Sequence, residues 1–464
     1  MDQSLEFDRD LLRKYDISGP RYTSYPTAPQ FHDGFGVADY REAAEHSNGE
    51  LIPRPLSLYL HIPFCRTVCF YCGCNRVITG NYRHAGEYLA RLEREIRLQA
   101  PLFDSDRVVE QLHFGGGTPT YLGGEDMARL MAALGQAFPL SREDGREFSI
   151  EIDPRTVSRG KVAQLAGLGF NRMSLGVQDF DPAVQAAVNR IQSVEQTAEC
   201  IDAAREAGFG SVNLDLIYGL PRQTLESFER TLLTVLALRP ERLAVYNYAH
   251  LPELFKVQRQ IRAEEIPDPE TKLALLELTI DRLTEAGYVY IGMDHFALPD
   301  DELSRAQRGG GLHRNFQGYS THAECDLIGL GVSAIGRVGD TYSQNLRDLD
   351  GYYDALDSAR QPLWRGIVLT ADDRLRRDVI NAIMCHSAVD FRDFERRQGI
   401  RFRSHFAAEL EDLAPLAADG LVEIDDTGLA VTPLGRLLLR NVAMVFDAYL
   451  RDRARERPAF SRVI

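Results

Sequence analysis

The sequence predicts an α/β fold in which strands and helices alternate into a full or partial barrel, joined to a smaller, mainly helical domain. Two patterns carry that reading. Short apolar runs recur at 56–62, 109–114, 148–152, 171–176, 211–217, 243–248 and 288–292, and helical periodicity fills 88–98, 127–138, 161–168, 195–207, 225–238 and 272–286. Strands separated by crossover helices pair in parallel through right-handed connections. The second pattern is the position of the glycine and polar residues. Gly115-Gly116-Gly117-Thr118-Pro119 follows the second run, Glu151 and Asp153 end the third, Gln178 follows the fourth, Asp215 lies on the fifth, and Tyr248-Ala249 end the sixth. Any one of these alone would be an ordinary turn or helix cap. Together they mark one rim, the C-terminal ends of the strands, where barrels of this kind gather their chemistry.

Taken in order, residues 1–50 show little periodicity, and Pro20, Pro26 and Pro29 break any helix there, so this segment is expected to be an arm lying on the barrel. Residues 51–365 form the barrel. Its first strand ends at Pro63 and delivers a cysteine-rich loop at the rim. Beyond Trp364 the strand repeat stops. Helices are expected at 371–384 and 406–418, a hairpin over 420–431 turning between Asp425 and Gly428, and a helix at 434–450. That order over 366–464 is winged-helix-like. Residues 371–464 carry 15 arginines and 16 acids, not the charge of a nucleic-acid-binding face, so packing or a lid over the barrel mouth is the expected role.

Composition narrows the function classes. With 464 residues, 44% hydrophobic and 26% charged, the chain is globular and not collagen-like or disordered. No apolar run approaches the roughly 18 residues of a membrane span, and the first ten residues are acidic and lack an apolar signal core, so a cytoplasmic enzyme is expected. A net charge of -15 opposes nucleic acid. The only lysines, Lys14, Lys161, Lys256 and Lys272, sit in no Schiff-base motif.

The seven cysteines divide sharply. Cys200, Cys325 and Cys385 stand alone and read as small buried hydrophobes. Cys65, Cys69, Cys72 and Cys74 crowd into ten residues, which points to a bound metal. A structural zinc would need a second ligand pair further on, and none follows. The spacing C-x3-C-x2-C suits a cubane held from one side. Its fourth iron is then open for a substrate or cofactor to chelate, unless Cys74 turns back to it. His61, alternating with Tyr59 along the first strand, is either a buttress for the loop or a catalytic group.

The segment Tyr59-Leu-His-Ile-Pro-Phe-Cys65-Arg-Thr-Val-Cys69-Phe-Tyr-Cys72-Gly-Cys74-Asn75 resembles the cluster loop of radical S-adenosylmethionine (SAM) enzymes. With Cys74 it is similar to the oxygen-independent coproporphyrinogen III oxidases. Further matching stretches are Gly-Pro-Arg-Tyr-Thr-Ser-Tyr-Pro-Thr at 19–27, Asn-Leu-Asp-Leu-Ile-Tyr-Gly-Leu-Pro at 213–221, Gly-Met-Asp-His-Phe at 292–296, Leu-His-Arg-Asn-Phe-Gln-Gly-Tyr at 312–319 and Phe-Ser-Arg-Val-Ile at 460–464. The resemblance implies a (β/α)6 partial barrel, one [4Fe-4S] cluster on Cys65, Cys69 and Cys72, and two SAM molecules. The first would meet Tyr59, Gly116, Glu151 and Ile335. The second would meet Tyr71, Gly117, Thr118, Gln178, Arg190, Asp215 and Ala249, with Gln317 as a further contact. The implied reaction turns two propionates of coproporphyrinogen III into vinyl groups, giving protoporphyrinogen IX, by way of a 5'-deoxyadenosyl radical.

On this reading Cys74, Tyr59 and His61 are catalytic candidates, and Arg21 and Arg314 would grip substrate carboxylates, since arginine forms paired bonds to them. The partners implied are coproporphyrinogen III and a reduced flavodoxin- or ferredoxin-type electron donor, with the enzyme a monomer. Two alternatives have identifiable requirements. A haem chaperone of the same superfamily would lack the fourth cysteine and carry a His-Asn-x-x-Tyr-Trp motif, which is not found. A zinc-dependent winged-helix binding protein would need a second ligand pair and a basic surface.

Overall fold

Strand and helix alternate as the periodicity predicts in a computed structural model of the protein, which describes residues 5–322 and 325–452; the matching stretch at 460–464 lies outside the described residues. Contacts divide the chain into two units. One comprises Phe31–Asp268 and Glu324–Val368, the other Met1–Gln30, Pro269–Ala323 and Leu369–Ile464. The division expected along the chain, at 50 and 365, runs in blocks, whereas the spatial units are discontinuous in sequence.

The first unit is built on ten strands: β1 (Leu56–Ile62), β2 (Val109–Gly116), β3 (Glu147–Ile152), β4 (Arg172–Gln178), β5 (Ser211–Tyr218), β6 (Arg242–Asn247), β7 (Asp326–Leu330), β8 (Ile335–Val338), β9 (Thr341–Asn345) and β10 (Leu363–Val368). Their order is β10-β9-β8-β7-β1-β2-β3-β4-β5-β6. The run from β7 to β6 is parallel, and β8, β9 and β10 extend it antiparallel. Crossover helices α1 (Arg83–Gln99), α2 (Gly124–Ala137), α3 (Arg159–Gly167), α4 (Val194–Glu206) and α5 (Leu225–Leu238) link the first six strands. Three start on hydroxyl caps: Ser158, Ser193 and Thr224 each accept from a first-turn amide, and the last two complete capping boxes with Gln196 and Ser227.

Alternation along β3 to β5 decides what the sheet presents. Phe148, Ile150, Met173, Leu175, Val177, Val212, Leu214 and Leu216 are buried, each contributing about 1.5–3 kcal/mol of apolar burial. The intervening Ser149, Glu151, Ser174, Gly176, Gln178, Asn213 and Asp215 are only half-buried. Parallel register sets Tyr59 beside His113, His113 beside Ser149, Glu151 beside Ser174, Ser174 beside Asn213, and Gly176 beside Asp215. One face is therefore core and the other a polar bowl.

Two features were not expected. Residues 37–48 form a helix, Val37–Asn48, whose buried stripe is only Tyr40, Ala44 and Ser47, too narrow and too interrupted by charge to show as periodicity. Strands β7 and β8 are masked in sequence by glycines at 329, 331 and 336 that close packing requires: a Cβ on Gly329 would lie 2.7 Å from the Ile335 carbonyl carbon. At the start of β7, Asp326 pairs with Arg107 at 2.7 Å, both side chains almost wholly buried, and also accepts from Ser47 and from the Gly339 amide.

In the second unit, Leu12, Tyr22 and Tyr25 share a core with Val379, Ile383, Phe402, Phe406 and Phe446. The run expected at 288–292 forms Val289–Gly292, but it pairs antiparallel with His295–Ala297 as a hairpin. Ala388–Asp390, Gly428–Val431 and Val422–Ile424 make the small antiparallel sheet of a winged-helix-like module, led by the helix Ala371–His386. The helix expected at 406–418 is broken into Ala407–Asp412 and Ala414–Ala418, because Pro415 cannot donate an i→i−4 bond. The one expected at 434–450 breaks before Ala448–Asp452, because the Asp447 carboxylate takes the amides of Tyr449 and Leu450. Among the described residues no helix is long and apolar enough to cross a membrane.

Candidate active site

Pro63 ends β1 and the chain turns into the cysteine loop. Phe64–Cys65 and Val77–Ile78 pair in parallel and close the loop at its base. Thr118 donates its amide to the Phe64 carbonyl at 2.9 Å, and Phe70 donates to the Val188 carbonyl at 2.9 Å, so the segment after β2 and the end of the short helix Pro182–Ala187 hold the loop. The Tyr59 hydroxyl meets His61 Nδ1 at 3.1 Å, and His61 Nε2 donates to the Asn75 carbonyl at 2.8 Å. Burial lowers the His61 pKa, which keeps the ring neutral, one nitrogen accepting and the other donating.

Each loop cysteine has a distinct setting. Cys65 Sγ lies 3.4 Å from Thr118 Oγ1, and burial pushes its thiol up to about 11. Arg190 Nη1 reaches Cys69 Sγ at 3.5 Å. Cys72 is lowered to about 6, chiefly by a hydrogen bond from Cys74 that outweighs its burial, and the Cys74 thiol, which holds that proton, is raised in turn. Cys74 is solvent-exposed. A tetrahedral zinc would draw its sulfurs to about 3.8 Å of one another. Among the described residues, Cys65, Cys69 and Cys72 are not a set gathered within 4.8 Å. Three thiols on one short loop at C-x3-C-x2-C spacing are a donor set that suits an iron–sulfur cubane.

The rim continues on the neighbouring strands. Gly116 has φ +113°, and a Cβ there would lie 2.6 Å from the His61 ring, so backbone is laid bare beside the loop. A Cβ on Gly117 would lie 2.7 Å from the Pro63 carbonyl. Glu151 accepts from the Gly116 amide at 3.1 Å and faces His113 Nε2 at 3.3 Å, with 44% of its side chain accessible. Burial pushes its pKa upward, but His113 and the Gly116 amide together hold it below the usual carboxylate range. Asp215 is pushed up to about 6 because burial outweighs bonds from Ser174 at 2.9 Å and Asn213 at 2.7 Å. Gln178 sits at φ +69° on a bulge between β4 and β5. The carbonyls of Tyr71 and Ala249 both accept from Gln258 Nε2, at 2.9 and 3.3 Å. Ile335 opens β8, half-buried.

Behind the loop, Glu95 on α1 is fully buried and accepts from the Gly331 amide at 2.8 Å, Asn345 at 2.6 Å and the Tyr352 hydroxyl at 2.6 Å. Tyr88, about two turns earlier, donates to the His61 carbonyl at 2.6 Å and accepts the Val332 amide at 3.0 Å. This network pins the turn leading into Ile335.

The structure thus brings together, in the sheet unit, every expected site residue except Arg21, Arg314 and Gln317, which lie in the other unit. There Arg21 pairs with Asp294. Arg314, buried over the Tyr319 ring at 4.7 Å, donates from Nε to the Arg21 carbonyl at 3.4 Å and leaves Nη1 without a partner. Both amide atoms of Gln317 are also buried and unpartnered. His295 stands edge-on to Tyr319. Sequence reasoning missed His113, Ser174, Asn213 and Glu95. The first three carry a readable signal, polar residues at alternate positions pointing to the same face as Glu151 and Asp215.

A model of the radical SAM superfamily matches residues 59–235, and one of the HemN C-terminal domain matches 369–438. Over 99% of both chains, the protein is 52% identical to the oxygen-independent coproporphyrinogen III oxidase of Pseudomonas aeruginosa. The chain belongs to that family. It is 51% identical to the Escherichia coli relative of the same name, over 100% of this chain and 99% of that one. The solved structure of coproporphyrinogen III oxidase from Escherichia coli, described as a radical SAM enzyme, superposes with a TM-score of 0.91 and 49% identity, covering 96% of this chain and 100% of that one. The fold is therefore the α/β radical SAM fold and the protein an oxidoreductase, of a superfamily whose chemistry uses a [4Fe-4S] cluster and SAM. Matches over the whole length to relatives named as oxidases leave the haem-chaperone and zinc-binding readings without support.

Proposed function

We propose that the protein carries out the oxygen-independent oxidative decarboxylation of two propionate side chains of coproporphyrinogen III, giving the vinyl groups of protoporphyrinogen IX. The observation that carries the reading is the 52% identity over 99% of the chain to an enzyme of that name. Cys65, Cys69 and Cys72 would hold one cluster. Tyr59, Gly116, Glu151 and Ile335 would hold one SAM, and Tyr71, Gly117, Thr118, Gln178, Arg190, Asp215, Ala249 and Gln317 a second. When bound, these groups supply a carbon radical strong enough to take hydrogen from an unactivated carbon.

The chain's own residues prepare the site. Glu151, held below the ordinary range, is ionised at neutral pH and accepts from ribose hydroxyls. Bare backbone at Gly116 and Gly117 lets cofactor approach without side-chain interference. Arg21 and Arg314 bind propionates, the free Nη1 of Arg314 offering a donor that burial leaves unsatisfied. Each propionate loses a hydrogen atom from its β-carbon, carbon dioxide and one electron, so the site must aim one carbon and exclude others. Cys74, exposed beside the ligand thiols, and Tyr59 and His61, which brace the loop, are the catalytic candidates for that step. A reduced flavodoxin- or ferredoxin-type carrier supplies the electron for each cleavage, and the enzyme works in the cytoplasm as a monomer.

Anaerobic reconstitution with iron and sulfide, followed by assay of vinyl product alongside 5'-deoxyadenosine, tests the reading. Both products should appear, and equilibrium binding should saturate at two SAM per chain. SAM cleavage without decarboxylation, or haem retention without turnover, would overturn it.

A further inference from the structure

Arg190 is 7% exposed, yet its guanidinium is not committed to one partner. Nη1 lies 3.5 Å from Cys69 Sγ and 3.4 Å from Asp153 Oδ2, and Nη2 donates to the Gly176 carbonyl. Its place is built by both flanks. A Cβ on Gly176 would lie 3.0 Å from Nη2, so the glycine makes the room. The Arg190 amide donates to the Gln185 carbonyl at 2.9 Å, Gln185 Nε2 donates to the Asp179 and Gln192 carbonyls at 2.9 Å each, and Gln192 Nε2 donates to the Val177 carbonyl at 2.6 Å. Asp153 is held in turn by Arg155 Nε at 2.9 Å and Nη2 at 2.6 Å. A buried cation is thus fixed with one N–H on the sulfur of a loop cysteine.

We infer that Arg190 tunes the reduction potential of the iron–sulfur cluster through an N–H···S bond to Cys69, with Asp153 as the counter-ion that positions the guanidinium and offsets its charge. Hydrogen bonds to ligand sulfurs and nearby positive charge draw negative charge off the cluster and favour its reduced form. A contact with SAM, the role the family resemblance implies for Arg190, needs neither the sulfur contact nor the Asp153 counter-ion. The inference rests on Cys69 being a cluster ligand and on nothing about the substrate.

The test is a redox titration of the reconstituted cluster without SAM, followed by electron paramagnetic resonance of the reduced state. Arg190→Gln removes the charge and the N–H···S donor and should lower the midpoint by at least tenfold in the oxidised-to-reduced ratio at a set potential, about 59 mV for one electron. Asp153→Asn removes an anion while the Gly176 carbonyl still holds Arg190, and should move the midpoint the opposite way. Opposite shifts support the tuning role. Unchanged midpoints, or shifts of the same sign, in proteins that still hold four irons per chain overturn it. If Arg190→Gln assembles no cluster, the upward shift of Asp153→Asn decides alone. A wild-type chain that takes up no iron–sulfur cluster overturns instead the assignment of Cys69 beneath the inference.

Discussion

Replacing Glu95 with glutamine should make the protein's stability less dependent on pH. In the folded protein burial pushes this carboxyl from 4.5 up to about 7, against the bonds from Tyr352, the Gly331 amide and Asn345. The folded state therefore holds its proton more tightly than the unfolded chain does. That contribution is fully present below pH 4.5 and is lost as the pH rises through 7, because above 4.5 the unfolded chain is free to ionise while the folded one resists. At about 1.36 kcal/mol per pKa unit the loss totals about 3 kcal/mol, most of it between pH 5 and pH 8. Glu95 is fully buried, so solvent screening takes little from this figure. Glu95→Gln abolishes the titration and forfeits one hydrogen bond, since an amide nitrogen cannot accept from Asn345, at a pH-independent cost of about 1 kcal/mol. Urea unfolding of both proteins at pH 5 and pH 8, followed by circular dichroism, gives the difference, in which all other titrating groups cancel. The variant should gain about 2–3 kcal/mol on wild type across that interval. A difference that stays constant with pH would refute the argument.

Alanine at Cys65, Cys69 or Cys72 should abolish iron–sulfur loading after anaerobic reconstitution, whereas Cys74→Ser should retain the four irons, as read by iron analysis and absorbance. Gly116→Ala drives a Cβ to 2.6 Å from the His61 ring at a φ of +113° and should cost about 1–3 kcal/mol of stability and weaken SAM binding in calorimetry. Arg314→Lys keeps the charge but loses the planar fork, so the KM for coproporphyrinogen III should rise at least tenfold with kcat little changed, a split read from initial rates. Removing Asp326 as Asp326→Ala leaves Arg107 buried without its counter-charge, and should cost about 3–5 kcal/mol in the same urea assay.

The parallel core was legible because its strands are short apolar runs separated by segments of helical periodicity. The loop thiols were legible because cysteines so close together have little other use. Positions that depend on distant partners were not. Glu95 sits on an amphipathic helix, where a lone acid looks solvent-facing, and only the return of the chain at Gly331 and Asn345 gives it donors. Strand β7 pairs with β1 across 270 residues, and no local pattern announces it. His113 was hidden by its own strand: it lies on the polar face within a run read only for its apolar members. The run at 288–292 shows the limit of local periodicity, since alternation forms a strand but does not choose the direction of its neighbour.

The second unit has a consequence for biosynthesis. Leu12, Tyr22 and Tyr25 are shared in one apolar cluster with Val379, Phe402 and Phe446, so these early residues must wait for partners more than 350 residues later before they can be covered. Most of the sheet can assemble while translation continues. The segment holding Leu12, Tyr22 and Tyr25 is left uncovered until Phe446 has been made, which makes a nascent chain stalled short of residue 446 more prone to proteolysis and aggregation there than in the sheet.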